Sequence, residues 1–450
     1  MHLGNKCFIG FYLRPNKKMK IKIICPRWPE GSLWRHFAFR FPYLSLSTLA
    51  ALTPRNVEVT IEDENVQEIN FQDRPDLAAI SIITPLANRG YAIADRFREL
   101  SIPVAIGGFH ATWMAEEAGR HADSVVLGEA EQVWPKLIED FKQGALQKFY
   151  KADGQADMQG LLIPRRDLLK KQAYFFTNTM QISRGCPFHC DFCSVTAFYG
   201  HTYRLRPLNE VRREVELLLK EKNFIFFVDD NIIGNRTYAK ALFSMLKEFR
   251  IKWLSHASIN IAEDEGLLRE AAESGCYGLF IGFESLSQET LKSHHKNFNR
   301  VDCYRDLICK IHDQGIGIEG SFIFGSDDDD PSVFRRVVDF CEKNKIDAAV
   351  FAILTPYPGT RIYEQYSKEN RIFSHNWDLY DMGHVVFRPQ RMTVEQLQEG
   401  HDWANRRFYS YPSMFKRFWP LRRCHQVFLP SNWGMRRAWK RLETSFQFRV

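Results

Sequence analysis

The sequence predicts an α/β protein in three parts: a doubly wound, Rossmann-like parallel sheet, a partial (β/α)6 barrel of the TIM type, and a small helical C-terminal region. Three observations predict it. Short Ile- and Val-rich runs alternate with helix-like stretches from Lys20 to about Lys142, the alternation stops over residues 143–178, and it resumes from Met180 to about Phe387. The resulting boundaries are 19–150 for the first domain, 151–178 for a linker, 179–390 for the barrel and 391–450 for the tail.

In the first domain, strands are expected at Lys20–Cys25, Val57–Glu62, Leu77–Ile83, Pro103–Gly107 and Ser124–Leu127, with helices at Leu44–Leu52, Asn88–Leu100, Thr112–Arg120 and Gln132–Phe141. Such a sheet binds ligands at the carboxyl ends of its strands. Gly154, Gly160 and Pro164 interrupt the polar linker. Beyond it, strands are expected at Met180–Ser183, Asn223–Val228, Trp253–Ala257, Gly278–Gly282, Ile316–Phe324 and Ala348–Leu354, which suits an open parallel barrel better than a second flat sheet.

Composition narrows the function classes. The chain has 450 residues, 45% of them hydrophobic, enough for two or three cores and against disorder. Its formal charge of +7 is uneven: residues 406–450 carry eleven Lys/Arg and the single acid Glu443, so the rest of the chain is at −3 and shows no nucleic-acid footprint. No apolar run approaches the ~18 residues of a membrane-spanning helix. Residues 1–18 show no export or transit signal, and Met19 suits a natural start, so a cytoplasmic protein is expected. Ten cysteines without an export signal argue for a reducing compartment. Cys7, Cys25, Cys276, Cys303, Cys309, Cys341 and Cys424 have no ligand spacing and are expected to be buried apolar thiols.

The other three cysteines stand apart. Gln181-Ile-Ser-Arg-Gly-Cys-Pro-Phe-His-Cys-Asp-Phe-Cys193 sets Cys186, Cys190 and Cys193 on a loop after the first barrel strand. Three thiolates ligate three irons of a [4Fe–4S] cubane and leave the fourth open. Zinc would need a fourth protein ligand and paired spacing, and a redox Cys-x-x-Cys would not need the third thiol. Gly185 and Pro187 keep the loop irregular.

This motif, with Phe192 just before the third cysteine, resembles the signature of the radical S-adenosylmethionine (SAM) superfamily over about Met180–Phe387. The resemblance implies that SAM chelates the open iron and is split to a 5′-deoxyadenosyl radical. It further implies a methionine-amino contact at Asp229 and Asp230, a ribose contact at Glu284 and an adenine-side strand ending at Gly325, with Phe192 beside the cofactor. Read from the residues alone, Asp229-Asp230 serves equally as a helix cap, Glu284 as a structural acid, and Asp327–Asp330 as a solvated loop capping a helix near Ser332.

In the first domain, Ile106-Gly-Gly-Phe-His-Ala-Thr112 follows a strand and Leu127-Gly-Glu-Ala-Glu131 ends another. Paired glycines let a large ligand approach the backbone, and a tight strand-to-helix turn explains them as well. With the Ser81–Thr84 strand end and the barrel downstream, residues 20–150 resemble the cobalamin-binding domain of cobalamin-dependent radical methyltransferases. The resemblance implies cobalamin contacts at Thr84, Gly107, Gly108, Gly128 and Glu129. The Asp-x-His-x-x-Gly segment that supplies a cobalt ligand in many cobalamin domains is absent, and His110 and His121 are expected as polar loop or surface residues.

Leu354–Thr360 and Trp377–Phe387 also resemble the closing part of this family; Tyr357 and His384 either face the active site or pack. The basic, aromatic tail suits a membrane interface, an acidic peptide or tRNA partner, or a packing helix whose cationic stems cover the barrel. The leading expectation is cobalamin-dependent methylation of an unactivated carbon. Its rivals are a cobalamin-containing radical enzyme that cyclises, rearranges a ring or inserts oxygen, and a vestigial, non-catalytic protein. The implied partners are an electron donor such as flavodoxin or ferredoxin and a small-molecule, lipid or peptide substrate; catalytic residues beyond the cofactor contacts have no motif.

Overall fold

The computed structural model describes residues 18–447 apart from Phe39, Phe176 and Arg423, with side chains up to residue 443. Cys7, the extension before Met19 and the last aromatic residues of the tail lie outside the described residues. The first sheet contains β1 (Lys20–Cys25), β2 (Glu58–Asp63), β3 (Leu77–Ser81), β4 (Val104–Gly107), β5 (Ser124–Leu127) and β6 (Phe149–Lys151), all parallel in the order β2-β1-β3-β4-β5-β6. Five of these were expected. The sixth escaped because Phe149-Tyr-Lys alternates exposed, buried, exposed and has no apolar run to mark it. The expected helix over Thr112–Arg120 is two, Phe109–Trp113 and Ala115–His121, broken at Met114.

The second sheet is a six-stranded parallel open barrel in the order β14-β13-β12-β11-β10-β7. Its strands are β7 (Thr179–Met180), β10 (Phe224–Phe227), β11 (Lys252–Ala257), β12 (Cys276–Glu284), β13 (Gly317–Phe324) and β14 (Ala348–Ile353). Between β7 and β10, β8 (Ser183–Arg184) pairs antiparallel with β9 (Arg204–Leu205), closing the neck of a loop that holds all three motif cysteines. The barrel strands and their helices share one large core around Phe227, Trp253, Phe283 and Phe322.

Helices Val394–Phe408, Tyr411–Phe418 and His425–Gln447 complete the chain. Part of the basic tail packs inward. Arg417 is buried, bonds the carbonyls of Ile346, Asp347 and Phe408, and stacks 3.7 Å from the Phe408 ring centre. Phe428 enters the barrel beneath β12 and β13, where side chains are missing: a Cβ on Gly317 would stand 2.3 Å from its ring and one on Gly278 2.7 Å. No helix among the described residues is long and apolar enough to cross a membrane.

Several residues lie elsewhere than expected. Of the six scattered cysteines described, Cys25, Cys276, Cys341 and Cys424 are buried, but Cys303 is half-buried at the edge of the barrel core and Cys309 is exposed. Asp329 is not solvated: it is buried and accepts the N–H groups of Gly325 and Ser326. Asp327 pairs with Arg371 at 2.6 Å, and Asp330 binds Ser332. His110 is a core residue rather than a surface one, wedged edge-on against Trp377 with Nδ1 3.3 Å from Thr84 Oγ1. His121 is half-buried, stacked on Tyr91 and bonded to Asp95.

Candidate active site

Two cavities meet at the mouth shared by the sheets. The larger, about 580 Å³, is lined by Cys186, Cys190 and Cys193 together with Phe192, Asp230 and Glu284. Its walls include barrel strands, and side chains from segments before and after the barrel close it: Trp34, Phe37 and Phe41 from the first, Phe428 and Met435 from the second.

The loop geometry follows from a few local constraints. Gly185 sits at φ +86°, where a Cβ would lie 2.0 Å from the Thr202 carbonyl oxygen, so only glycine passes through the neck. Asp229 is fully buried, and its carboxylate accepts from Ile182 N at 3.0 Å and Ser183 Oγ at 2.6 Å. It therefore anchors the loop's entry, and of the expected acidic pair only Asp230 faces the cavity. One oxygen of Asp230, Oδ2, is buried without a hydrogen-bond partner, and burial beside Asp229 raises its carboxyl pKa. Burial also lifts the thiols of Cys186 to about 11 and Cys190 to about 12, so a metal must displace their protons.

Glu284 stands at φ +62°, where the register of β12 on β13 shifts. A left-handed glutamate at a cavity is strained backbone held by its surroundings. Its carboxylate meets Lys296 Nζ at 2.6 Å and Ser321 Oγ at 3.4 Å. Gly282 makes room, since a Cβ there would stand 2.7 Å from that Nζ. Burial opposes the charge on Lys296, but the Glu284 carboxylate beside it holds its pKa above the ordinary value. Lys296, in the His-His-Lys of the loop after Ser293, carries no sequence signal of its own. Gly325 is not at this cavity: its α-carbon faces Leu397 and Phe387, and its N–H goes to Asp329.

The smaller cavity, about 300 Å³, lies at the carboxyl ends of the first sheet. Gly107, Gly108, Gly128 and Glu129 line it, with Arg184 and Tyr199 from the barrel side. Gly108, at φ +108°, lets the turn press against Ile82, whose carbonyl oxygen would stand 2.5 Å from a Cβ. Thr84 is not at the cavity, its hydroxyl being turned to His110. The Glu129 carboxylate is consumed by Arg184 at 2.6 Å and Arg204 at 2.9 Å, and so ties the domains together. Tyr357 packs against the core of the first domain and His384 bonds Asp381 at 2.8 Å; neither reaches the cysteine cavity.

Two elements face both cavities. In the helix Ser194–Tyr199, Phe198 and Tyr199 wall the smaller cavity while Cys193, its N-cap, and Val195 wall the larger. After β10, Val228 faces the smaller and Asp230 the larger. Phe109 of the first domain stacks on Phe198 at 4.2 Å between ring centres, so the two cavities share one thin partition.

The family pattern described as "Radical SAM superfamily" matches residues 180–341, which contain the cysteine loop and the strands that end around it. The chain is 34% identical over 384 residues to the bacteriochlorophyllide d C-12(1)-methyltransferase of Chlorobaculum tepidum, covering 83% of this chain and 84% of that one. It is 29% identical to that organism's bacteriochlorophyllide d C-8(2)-methyltransferase, covering 78% of this chain and 81% of the relative. Among solved structures, the radical SAM methyltransferase TsrM of Kitasatospora setae, with cobalamin and a [4Fe–4S] cluster bound, shares the fold at a TM-score of 0.61 and 16% identity, over 87% of this chain and 85% of that one. Identity of this extent over nearly the whole of both chains, with the family pattern lying on the cysteine loop, makes this protein a radical SAM enzyme, a member of that superfamily alongside these methyltransferases.

Proposed function

We propose that the enzyme methylates an alkyl substituent of a chlorin-type tetrapyrrole, using cobalamin as the methyl carrier. The observation that carries this is the shared partition: a cluster cavity and a backbone-lined cavity at the Rossmann-like strand ends are separated only by the Ser194–Tyr199 helix and the Val228–Asp230 turn. When bound, the cluster supplies one electron that breaks a C–S bond of SAM, and cobalamin carries a methyl group. Cys186, Cys190 and Cys193 fit the cluster, being three thiols on one cavity wall beside an orphaned carboxylate oxygen. The smaller cavity fits cobalamin through the bare backbone of Gly107, Gly108 and Gly128, and among the described residues its wall has no histidine.

The chain's own residues do the rest. Asp230 Oδ2 accepts from the amino group of SAM, a charge-assisted bond that satisfies its buried oxygen. Glu284, held by Lys296, accepts from the ribose hydroxyls, and Phe192 covers the cofactor. The aromatic walls around the larger cavity exclude water from a radical and suit a flat conjugated ring. An external one-electron donor, flavodoxin or ferredoxin, reduces the cluster. Anaerobic turnover of reconstituted protein with SAM, reductant, hydroxocobalamin and bacteriochlorophyllide d tests this. Methylated pigment, 5′-deoxyadenosine, S-adenosylhomocysteine and retained cobalamin are expected together. Turnover of SAM to 5′-deoxyadenosine alone, without retained cobalamin, would sink the carrier and leave a plain radical enzyme; retained cobalamin with a rearranged, unmethylated pigment would favour cyclisation or rearrangement.

We further propose that the outer face of the tail rests on an anionic membrane surface. Phe415, Trp419, Leu421 and Trp433 are 71%, 65%, 70% and 66% exposed, and Lys416, Arg437 and Lys440 of the same tail are exposed as well. Aromatic rings with a cationic rim match the headgroup layer of an acidic bilayer. Sedimentation with vesicles containing phosphatidylglycerol, and its absence with phosphatidylcholine alone or after Phe415→Ser with Trp433→Ser, is the expected result.

A further inference from the structure

His256 sits near the end of β11 and lines the same cavity as the cysteines. Its Nδ1 is 2.9 Å from the backbone carbonyl of Asp229. A carbonyl only accepts, so Nδ1 carries the hydrogen and Nε2 keeps its lone pair. Burial lowers the ring's pKa, which holds the imidazole neutral. Nε2 has no hydrogen-bond partner among the described residues. Phe280 and Phe226 pack around the ring at 5.0 and 5.8 Å between centres.

A neutral imidazole, oriented through one nitrogen by a carbonyl and presenting the other to an apolar chamber, has the chemistry of a metal ligand. His256 belongs to no group of three His, Cys, Asp or Glu ligand atoms among the described residues, so those residues build no ion site of their own around it. A metal arriving there must bring its other donors with it, as an ion held in the plane of a macrocycle does.

We infer that His256 Nε2 is the axial ligand to the central metal of a metallo-tetrapyrrole substrate. This rests on the tetrapyrrole reading above and adds what positions the ring. Asp229 ties the two ends together: its carboxylate anchors the cluster loop and its carbonyl aims His256, so one residue sets the macrocycle's register against the cluster.

The test is equilibrium binding, by pigment fluorescence, of bacteriochlorophyllide d and its magnesium-free counterpart to the reconstituted enzyme without reductant. The wild type should favour the magnesium form by about tenfold, one axial bond's worth of affinity. In His256→Phe that preference should vanish while affinity for the free base and iron content stay unchanged, and in His256→Ala added imidazole should restore it. Equal binding of both pigments by the wild type, or a preference that survives in His256→Phe, overturns the inference and leaves the tetrapyrrole reading standing. Binding of neither pigment by the wild type brings down both.

Discussion

Asp229 and Asp230 are neighbours of one residue type with opposite fates, because in the turn after β10 one carboxylate is taken up by Ile182 and Ser183 while the other lines the cavity. Asp230→Asn should raise KM for SAM by about tenfold, the loss of one charged hydrogen bond, with iron content intact. Asp229→Asn should instead lower retained iron, measured by chelator release, since the loop loses its anchor. Glu319, inside the barrel on β13, is a third kind of acid: burial pushes its carboxyl up to about 8. The folded chain then keeps a proton that the unfolded chain has released, so stability falls as pH rises from the ordinary value near 4.5 to about 8 and levels off above it. Urea midpoints across that window should slope downward in the wild type and lose this component in Glu319→Gln. The three thiols were legible because their chemistry is written in local spacing. Lys296 and His256 were not, since each reaches the cavity through packing of distant strands. Thr84 and Gly325 stood at expected strand ends, but turned to His110 and Leu397 respectively.

Among elements, the neck formed by β8 and β9 decides whether the cysteine loop has one shape. It is only two residues wide on each side and depends on Gly185 passing beside Thr202. Gly185→Ala adds a side chain where the backbone leaves none and forces φ +86° on alanine. Iron retention should fall to a small fraction of wild type, while the circular dichroism of the remaining helices and strands is unchanged. The longer strands were legible because apolar runs bounded by turn residues mark a buried parallel strand. β6, β8 and β9 were not, being short segments whose pairing is fixed by partners rather than by their own composition.

At the scale of the whole molecule, the domains are tied by buried charge. Glu129→Ala would leave Arg184 and Arg204 with one acid fewer in a water-poor junction, at a cost of about 3 kcal/mol. Denaturant unfolding should show that loss, and limited proteolysis should cut between residues 152 and 178 sooner than in the wild type. The order of two parallel α/β units was legible from alternation alone. The division of the tail into a packed inner face and an exposed outer face was not, because its composition is basic and aromatic throughout.

That inner face carries a consequence for biosynthesis. Trp34 and Phe41 are made before either the barrel or its cysteine loop, and Phe428 and Met435 after both, yet all four wall one chamber. While the helix His425–Gln447 is still within the ribosome, the barrel lacks its floor, and the Gly278 and Gly317 surfaces lie open. Until then the enzyme is a vessel without a base: the helix His425–Gln447, made after the barrel, seals a chamber begun by a segment made before it.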